Sequence, residues 1–329
     1  MPSVAPTLTA DFGPLLQAVP GAAAHQSYPA GTLYLVATPI GNLADITVRA
    51  LQVLQMVDAV ACEDTRHTQA MLRAYGLARP QPQLLALHQH NEETAAQGVV
   101  ARLRQGERIA YVSDAGTPAV SDPGARLVQA VREAGLRVMP LPGASSVLTA
   151  LCASGADTTQ LSNGVAGLEG GWVFAGFLPG KGGERAQALQ ALQAERRTVV
   201  LLEAPHRIAA LCRELAVLGT RPVTLTRELT KQFETIVTLP ADEADAWIGG
   251  APERARGEFV VVVHALPAES RNDAALPEPA LRALRLLLAE LPTRAAVRLA
   301  AELTGASRNA LYAQALAWKQ EGTGAEDAT

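Results

Sequence analysis

The stretch Tyr111-Val-Ser-Asp-Ala-Gly-Thr-Pro-Ala-Val-Ser-Asp-Pro-Gly124 contains the end of a strand, a loop and the start of a helix. The apolar run 109–112 has the length of a buried strand. Two glycines and two prolines follow, and from Ala125 apolar side chains recur at helical spacing. In an open α/β sheet, small ligands bind beside such loops at the carboxyl ends of the strands. The stretch therefore predicts a ligand site on an α/β sheet.

Two carboxylates narrow the kind of ligand that this loop can hold. Asp114 and Asp122 both lie within the loop, and they would repel a phosphate group. The small residues between them allow backbone N–H groups to approach a ligand closely. A ligand with hydroxyl groups, an amine or a positive centre is therefore favoured over a phosphate.

The same strand, loop and helix order recurs from Gly31 to residue 150. Five strands alternating with helices are typical of a parallel sheet, and they are predicted at 33–37, 59–62, 84–87, 109–112 and 137–140. A polar or glycine-rich cluster follows each strand. Because the carboxyl ends of parallel strands share one edge, we expect these clusters to converge on one cleft.

A second α/β domain is predicted over residues 151–268. Its strands are expected at 172–176, 198–202, 223–226, 233–239 and 258–264. Some of them follow one another without an intervening helix, which indicates a mixed sheet. The Gly- and Ser-rich segment 151–171 is expected to be a linker or a lid.

The two ends of the chain differ from these domains. Residues 1–30 are rich in Ala, Pro and Gly and lack the pattern of a signal peptide, so we expect a disordered extension with one helical turn near Leu15 and Leu16. Residues 276–320 predict three short helices with six basic and three acidic residues. This helical module resembles a helix-turn-helix in outline, but a lid or packing role is favoured over nucleic-acid binding. Residues 321–329 are expected to be a loose tail.

The composition limits the classes of protein to which the chain can belong. A chain of 329 residues with 48% hydrophobic and 18% charged residues can bury the cores of two domains. The net charge of −4 gives no global signal for nucleic-acid binding, so any basic surface must be local. Three widely spaced cysteines without a CxxC motif indicate a reduced, cytoplasmic protein without a cysteine metal site. No apolar run reaches membrane-spanning length, so no membrane partner is expected.

Eight motifs in order closely resemble the tetrapyrrole-methylase-like superfamily. Together they cover the chain from about Gly31 to His264, and the helical module is similar as well. Within the superfamily, they resemble the branch that methylates the ribose 2′-hydroxyl of a cytidine in 16S ribosomal RNA. The motifs are Thr38-Pro-Ile-Gly-Asn-Leu43, Glu63-Asp-Thr-Arg-His67, His88-Gln-His-Asn-Glu92, Ser113-Asp-Ala-Gly-Thr-Pro118, Pro142-Gly-Ala-Ser-Ser146, Glu203-Ala-Pro-His-Arg-Ile208, Arg227-Glu-Leu-Thr-Lys231 and Gly257-Glu258.

The resemblance implies a fold, a methyl donor and partners. It implies two α/β domains with S-adenosyl-L-methionine (AdoMet) in the cleft between them, a homodimer, and 16S ribosomal RNA or the small ribosomal subunit as substrate. It also implies donor-binding residues in two loops of the first domain and in the second domain. These are Ser113, Asp114, Ala115, Gly116, Thr117, Pro118, Ala144, Ser145, Phe174, Gly176 and Gly257.

Methylation of a ribose hydroxyl sets requirements for the other site residues. In-line methyl transfer depends on positioning, and a hydroxyl is a poor nucleophile that needs a general base or a cation beside the forming alkoxide. The candidates at the strand ends are Glu63, Asp64, His67, His90, Glu228 and Lys231, and the sequence does not choose among them. Arg66, Arg207 and Arg227 are predicted to hold RNA phosphates.

Several structural interpretations compete with these functional ones. Asp64 and Arg66 could form a structural ion pair, and Glu228 and Lys231 could lie in a solvated turn. His88 and His90 could suggest a metal, but no third ligand is evident, so no metal is predicted.

Two other functional classes also stay open. One is a methyltransferase that acts on a small tetrapyrrole, and the other is a non-enzymatic RNA-binding module. The helical module and the Glu63-Asp-Thr-Arg-His67 motif favour RNA over a macrocycle. The glycine-rich loops argue against a protein that does not bind the donor.

Overall fold

A computed structural model describes residues 12–23, 25–77, 83–88, 91–120, 122, 124–158, 171–266, 276 and 278–323. Its helices and strands alternate through most of the chain. In order they are α1 Gly13–Ala23, β1 Thr32–Val36, α2 Val48–Met56, β2 Ala59–Cys62, α3 Thr65–Ala74, β3 Leu84–Ala86, α4 Glu92–Arg104, β4 Ile109–Val112, α5 Gly124–Glu133, β5 Arg137–Leu141, α6 Ser146–Ser154, β6 Trp172–Phe177, α7 Gly182–Ala194, β7 Thr198–Glu203, α8 Ile208–Leu215, β8 Pro222–Arg227, β9 Thr235–Pro240, α9 Ala244–Gly249, β10 Phe259–Val263, α10 Glu278–Glu290, α11 Thr293–Thr304 and α12 Arg308–Thr323.

The first sheet is parallel throughout and has the strand order β3-β2-β4-β1-β5. β4 lies at its centre, and all four of its residues are buried. This burial on both faces explains why β4 reads as a continuous apolar run rather than as an alternating one. The predicted five-stranded parallel sheet is confirmed, and its carboxyl ends share one edge.

The second sheet is mixed and has the strand order β6-β7-β10-β8-β9. β6 and β7 are parallel, whereas β10 is antiparallel to both β7 and β8, and β8 is antiparallel to β9. The central strand β10, Phe-Val-Val-Val-Val, is buried at every position. The predicted fold class is therefore confirmed: two α/β sheets, the second mixed, followed by C-terminal helices.

One apolar cluster joins the two sheets. It combines Ile40 and two α6 residues, Val147 and Ala150, with second-domain residues that include Leu229 and Val260. Helix α6 contacts β7, β9 and β10. Burial of each large apolar side chain contributes roughly 1.5–3 kcal/mol, so this cluster holds the strand ends of the first domain against the second sheet. Helix α6 also continues across residue 150, where the domain boundary was predicted.

The expectation of a disordered N-terminal extension is wrong for residues 13–23. They form α1, in which Val19 is fully buried in the core of the first domain. Leu16 packs against the same core, and the Phe12 ring lies 4.8 Å from the Tyr75 ring. The Ala-, Pro- and Gly-rich composition did not indicate a helix here. The helix is stabilised by the packing of its apolar side chains against the rest of the domain rather than by helix propensity. Residues 1–11 lie outside the described part of the chain.

Side chains and a glycine set several helix ends. Thr47 caps α2, because its hydroxyl accepts a hydrogen bond from the Ala50 N–H at 3.1 Å. Gly305 ends α11 in the left-handed conformation, and the Ser307 hydroxyl accepts from the Ala310 N–H at the start of α12.

The helical module has a core of its own. Helices α10, α11 and α12 meet around Ala280, Leu284, Val297, Ala300, Leu311 and Ala315. Helix α12 reaches Thr323, so the first three residues of the predicted tail, 321–323, belong to this helix. Residues 324–329 lie outside the described part. Within the described residues, no helix has both the length and the apolar character needed to cross a bilayer.

A pair of glycines provides a test of the packing between β1 and the loop after β5. A Cβ on Gly143 would lie 2.6 Å from the Cβ of Ala37, whereas Gly98 in α4 has no neighbour within 4 Å. We expect Gly143→Ala to destabilise the protein by about 1–3 kcal/mol through overpacking. Gly98→Ala should stabilise it by about 0.5–1 kcal/mol through helix propensity. Thermal melts of both variants test this order, and a Gly143→Ala melt equal to that of the native protein would contradict it.

Candidate active site

Backbone hydrogen bonds join the loops that follow β1 and β4. Thr38 and Gly116 form an isolated antiparallel bridge in which each N–H donates to the other carbonyl oxygen at 3.0 Å. The Thr38 hydroxyl also donates to the Ser113 carbonyl oxygen at 3.2 Å. The third loop is attached by the Thr117 hydroxyl, which donates to the carbonyl oxygen of Ala144 at 2.9 Å. The three loops therefore form one continuous edge, as the sequence predicted.

Close packing requires glycine at the centre of this edge. Gly116 has φ 83°, and a Cβ there would lie 3.3 Å from the Cγ2 of Ile40. Only glycine adopts this left-handed conformation at no steric cost. The Ser113 hydroxyl donates to the carbonyl oxygen of Gly116 at 3.1 Å and holds the turn. Glycine at this position thus lets the loop after β4 pack closely against Ile40 and the loop after β5.

Asp122 is used inside the loop rather than toward a ligand. Its carboxylate accepts hydrogen bonds at 2.8 Å from the Tyr111 hydroxyl, the Ala119 N–H and the Gly124 N–H. Burial and the charge of Asp122 raise the pKa of Tyr111, which therefore stays protonated as a donor. Asp122 thus shapes the loop, and Asp114 is the carboxylate left to face the edge.

Acidic residues collect where the loops after β2 and β4 meet. The Asp114 carboxylate accepts a hydrogen bond from the backbone N–H of Asp64 at 3.3 Å. Partial burial, together with the charges of Asp114, Asp122 and Asp64, raises the pKa of Glu63 above its usual range. A raised pKa makes the Glu63 carboxylate a stronger base than an ordinary glutamate. The same negative field favours a positively charged ligand.

Asp64 has a structural role at the start of α3, where it binds the residues that follow it in the chain. Its side chain caps α3 by accepting hydrogen bonds from the backbone N–H groups of Arg66 at 2.8 Å and His67 at 3.4 Å. It also pairs with the Arg66 guanidinium at 3.2 Å. The side-chain and backbone hydrogen bonds from Arg66 lower the pKa of Asp64. The Arg66 side chain remains 90% exposed and His67 is exposed, so both remain candidates.

An ion-pair network organises the loop after β8. The Lys231 Nζ lies 2.9 Å from the Glu228 Oε1 and 2.8 Å from the Glu258 Oε2. Burial favours the neutral form of each group, but for Glu228 the Glu258 N–H and Lys231 outweigh it and lower the pKa. For Lys231, the hydrogen bonds to Glu258 and Glu228 likewise outweigh burial and raise the pKa. Lys231 is therefore held as a cation, and this turn is a packed network rather than a solvated one.

Strained backbone brings this network against the first domain. Glu228 has φ 51° and Thr230 has φ 66°, a conformation that costs non-glycine residues free energy and is concentrated at functional sites. A Cβ on Gly257 would lie 2.5 Å from the Glu228 side chain, and a Cβ on Gly41 would overlap the Lys231 stem. Both glycines therefore leave room for the ion pair. A donor contact by Gly257 stays a prediction.

A cleft of about 310 Å³ lies between the domains. This volume is at the lower end of the range of small-molecule sites. Its lining combines loop residues of the first domain with residues at the strand ends of the second domain. The lining residues are Ile40, Ala115, Ser146, Phe177, Leu202, Glu203, Ala204, Pro205, Leu229, Glu258, Phe259 and Val260.

Two arginines that were predicted to hold RNA phosphates contact their own chain instead. Arg207 pairs with the buried Glu203 at 3.0 Å and donates to the Leu178 carbonyl oxygen at 2.6 Å. Arg227 donates to the carbonyl oxygens of Arg256 at 2.6 Å and Phe233 at 3.0 Å. These bonds stabilise the second domain and leave fewer donors for phosphate. An RNA contact by either residue stays a prediction.

Sequence reasoning gave Glu203 no role. It lines the cleft, and its side chain is fully buried beside Arg207. The signal that could have identified it is a charged residue that ends the apolar strand β7. Its partner is four residues further along the chain, inside a motif that was already singled out.

The other residues that were predicted to belong to the site lie in different parts of the structure. Phe174 packs against the apolar cluster between the domains, and Gly176 has φ 65° at an irregularity in β6. The Ser145 hydroxyl caps α6. His90 lies outside the described residues. Among the residues that the structure describes, no group of three or more His, Cys, Asp or Glu side chains could hold a metal ion.

The profile of the Tetrapyrrole (Corrin/Porphyrin) Methylases matches residues 32–245, which hold all of the first sheet and strands β6 to β9 of the second. The chain belongs to the tetrapyrrole methylase family. A second profile, described as the RsmI C-terminal HTH domain, matches residues 273–319, which cover most of the helical module. The predicted family is therefore confirmed, and the helix-turn-helix outline of the module is matched by a named domain.

Several similar proteins from bacteria share one name, ribosomal RNA small subunit methyltransferase I. The protein of Escherichia coli O157:H7 is 47% identical over 288 residues, which are 87% of this chain and 95% of that protein. The protein of Neisseria meningitidis serogroup B is 44% identical over 300 residues, which are 91% of this chain and 97% of that protein. At this identity and coverage, the chain is a member of the same branch of the tetrapyrrole methylase family.

Solved structures show the same fold at lower identity. A cobalt precorrin-4 methyltransferase of cobalamin biosynthesis superposes with a TM-score of 0.52 at 20% identity, covering 72% of this chain and 98% of that chain. A diphthine synthase superposes with a TM-score of 0.52 at 14% identity, covering 71% of this chain and 90% of that chain. These two similarities concern the fold alone.

Opposite pKa shifts of two neighbouring carboxylates predict opposite effects on stability. Because the pKa of Glu63 is raised in the folded protein, the ionised side chain makes folding less favourable. This loss of stability develops as pH rises above about 4.3, the pKa of a glutamate in the unfolded chain. Glu63→Gln should therefore raise the melting temperature at neutral pH. The lowered pKa of Asp64 contributes stability above about pH 3.9 that is lost as pH falls through the folded pKa. Asp64→Asn should therefore lower the neutral melting temperature.

Melting curves of both variants from neutral pH down to about pH 3 measure these effects. Each difference from the native protein should shrink as the carboxylates become protonated. A Glu63→Gln variant that melts below the native protein at neutral pH would show that the acidic cluster is not repulsive.

Proposed function

We propose that this protein is an AdoMet-dependent methyltransferase that modifies the ribose 2′-hydroxyl of a cytidine in 16S ribosomal RNA. The observation that carries the proposal is the 43–47% identity, over most of the chain, to proteins named ribosomal RNA small subunit methyltransferase I. The interdomain cleft supports it, because a donor and an acceptor can meet there between two rigid sheets.

The loop edge of the first domain fits AdoMet. The loop after β4 is compact, because Gly116 lets it pack against Ile40 and the loop after β5, and we place the amino acid and adenosine parts of the donor beside this edge. The acidic cluster of Glu63, Asp64 and Asp114 favours the positive sulfonium centre. The donor supplies an activated methyl group when it is bound. Residues 113–118, Ala144 and Ser145 are proposed to hold it, with help from Phe174, Gly176 and Gly257.

Among the candidates for the proton acceptor, Glu63 fits best. Its raised pKa makes it the more basic carboxylate, whereas the pKa of both Asp64 and Glu228 is lowered by hydrogen bonds. Lys231 stays protonated in its ion-pair network. We assign Glu63 the removal of the proton from the ribose hydroxyl and Lys231 the electrostatic stabilisation of the oxygen that loses it.

The test of the function is transfer of labelled methyl from AdoMet to small ribosomal subunits that lack the modification, followed by nucleoside analysis. Label in a 2′-O-methylated cytidine is the expected result. Label on a base would reject ribose as the target. Label on a tetrapyrrole but not on RNA would support the macrocycle alternative. RNA binding without donor binding would support a non-enzymatic module.

A matched pair of variants tests the assignment of the base. We expect Glu63→Gln to lower kcat by about 10²–10⁴-fold, the usual contribution of general acid–base catalysis. Glu93→Gln in the first turn of α4 makes the same chemical change at an exposed position and should leave kcat unchanged. Equal activities of the two variants, with AdoMet binding intact, would remove Glu63 from this role.

The proposed function also predicts where the protein acts and how it assembles. Ribosomal RNA as substrate predicts a cytoplasmic protein, and the family resemblance predicts a homodimer. Light scattering of the purified chain measures the assembly independently of activity.

A further inference from the structure

The helical module carries the opposite net charge from the whole chain. Residues 276–320 contain six basic and three acidic residues, whereas the chain as a whole has a net charge of −4. The first domain, residues 31–150, is neutral with ten basic and ten acidic residues, and the second, residues 151–268, has a net charge of −2. Near the cleft, two of the predicted phosphate-binding arginines contact their own chain. Affinity for RNA depends strongly on cations that contact phosphates. The module is the part of the chain with a cationic excess.

A groove of about 550 Å³ lies within this module, between α10, the start of α11 and the end of α12. Arg285 and Lys319 provide its charges, and Trp318 provides its aromatic surface. No carboxylate is present among the residues described as lining it. The groove of about 470 Å³ between α4 and α5 differs, because Glu93 and Glu133 lie among its arginines. The described lining of the groove in the module thus carries positive charge and no carboxylate.

Arg285 and Trp318 form a stacked pair at the rim of this groove. The guanidinium carbon of Arg285 lies 4.7 Å from the centre of the Trp318 ring. Trp318 packs against the module core, so its ring is fixed and orients the guanidinium. In the described part of the chain, no carboxylate lies within ion-pair distance of Arg285, in contrast to Arg308, which pairs with Glu302 at 3.3 Å. Planar guanidinium and indole groups are the surfaces on which unpaired RNA bases stack.

We propose that this groove, defined by Arg285, Trp318 and Lys319, binds a single-stranded segment of RNA. A base stacks on the Arg285–Trp318 pair, and the adjoining phosphate lies near the Lys319 ammonium. An acidic peptide would use the cations but would gain little from the stacked pair. The inference rests on RNA as the proposed substrate, but it does not depend on which residue is the base.

The groove is separate from the part of the module that a helix-turn-helix places on nucleic acid. In such motifs, the start of the second helix makes the contacts, and here that start is Arg308 in α12. Trp318 lies ten residues further along the same helix, about 15 Å away at the rise of an α-helix. Substitutions at the two ends can therefore be distinguished.

The experiment measures binding of a short single-stranded RNA to the full-length protein by fluorescence anisotropy over a range of salt concentrations. Trp318→Leu keeps apolar packing but removes the aromatic surface, and it should weaken binding roughly tenfold. Trp318→Phe should retain most of the affinity. Arg285→Gln should also weaken binding, because it removes the guanidinium from the stacked pair. Lys319→Gln should reduce the slope of log affinity against log salt by up to about 0.7, the value for one phosphate contact on a single strand.

Arg298→Gln is the matched control, since Arg298 is exposed on α11 and does not line the groove. It should leave the affinity nearly unchanged, as should Arg308→Gln. Equal losses for Arg285→Gln, Arg298→Gln and Arg308→Gln would overturn the proposal in favour of diffuse electrostatic attraction. A loss only for Arg308→Gln would place RNA on the start of α12. Unchanged binding by Trp318→Leu would rule out base stacking and point to an acidic ligand.

Methyl transfer to small ribosomal subunits separates this inference from the proposed function. If both hold, Trp318→Leu raises KM for the subunit and leaves kcat and AdoMet affinity unchanged, because the groove positions RNA and takes no part in the chemistry. RNA binding that depends on Trp318, in a protein that methylates no RNA, would reject the function and keep the groove. Methyl transfer with a KM insensitive to Trp318 and Arg285 would keep the function and reject the groove.

Discussion

The paired backbone hydrogen bonds between Thr38 and Gly116 are the contact on which the architecture of the site depends. They join the loops after β1 and β4, two adjacent strands of the first sheet, at 3.0 Å in each direction. Side chains cannot intervene, because Gly116 is in the left-handed region and lies against Ile40. Ile40 in turn belongs to the apolar cluster that holds the second domain. One glycine therefore links the loop conformation to the position of the second sheet.

The loop after β2 and the turn after β8 hold their charged residues by different kinds of contact. On the first domain, short loops between parallel strands bring Asp64 and Asp114 together, so repulsion and partial burial raise the pKa of Glu63. On the second domain, a strained turn with positive φ at Glu228 and Thr230 holds the Lys231 ammonium between two carboxylates. The first cluster is thus entirely acidic, whereas the second pairs one cation with two carboxylates.

The contacts of the arginines suggest that methyl transfer and RNA binding use different parts of the chain. Near the cleft, Arg207 and Arg227 bind carbonyl oxygens and a buried carboxylate, and these contacts stabilise the second domain. With these two arginines engaged, and with a net charge of −4 for the whole chain, RNA binding needs cations elsewhere, which include the exposed Arg66. The helical module can serve this purpose, since it folds around its own apolar core and presents Arg285 on the Trp318 ring. Specific chemistry and general affinity can then evolve on different parts of the chain.

The sequence by itself determined all ten strands, the parallel and mixed sheets and the edge at which the loops converge. It could do so because strand burial, helix periodicity and glycine turns are local patterns. Tertiary structure alone decided the burial of α1, since the apolar partners of Val19 lie elsewhere in the chain. It also decided the partners of Arg207 and Arg227, and the opposite pKa shifts of Glu63 and Asp64. Charge and hydrogen-bond partners depend on distances between residues that can be tens of positions apart, which no local pattern records.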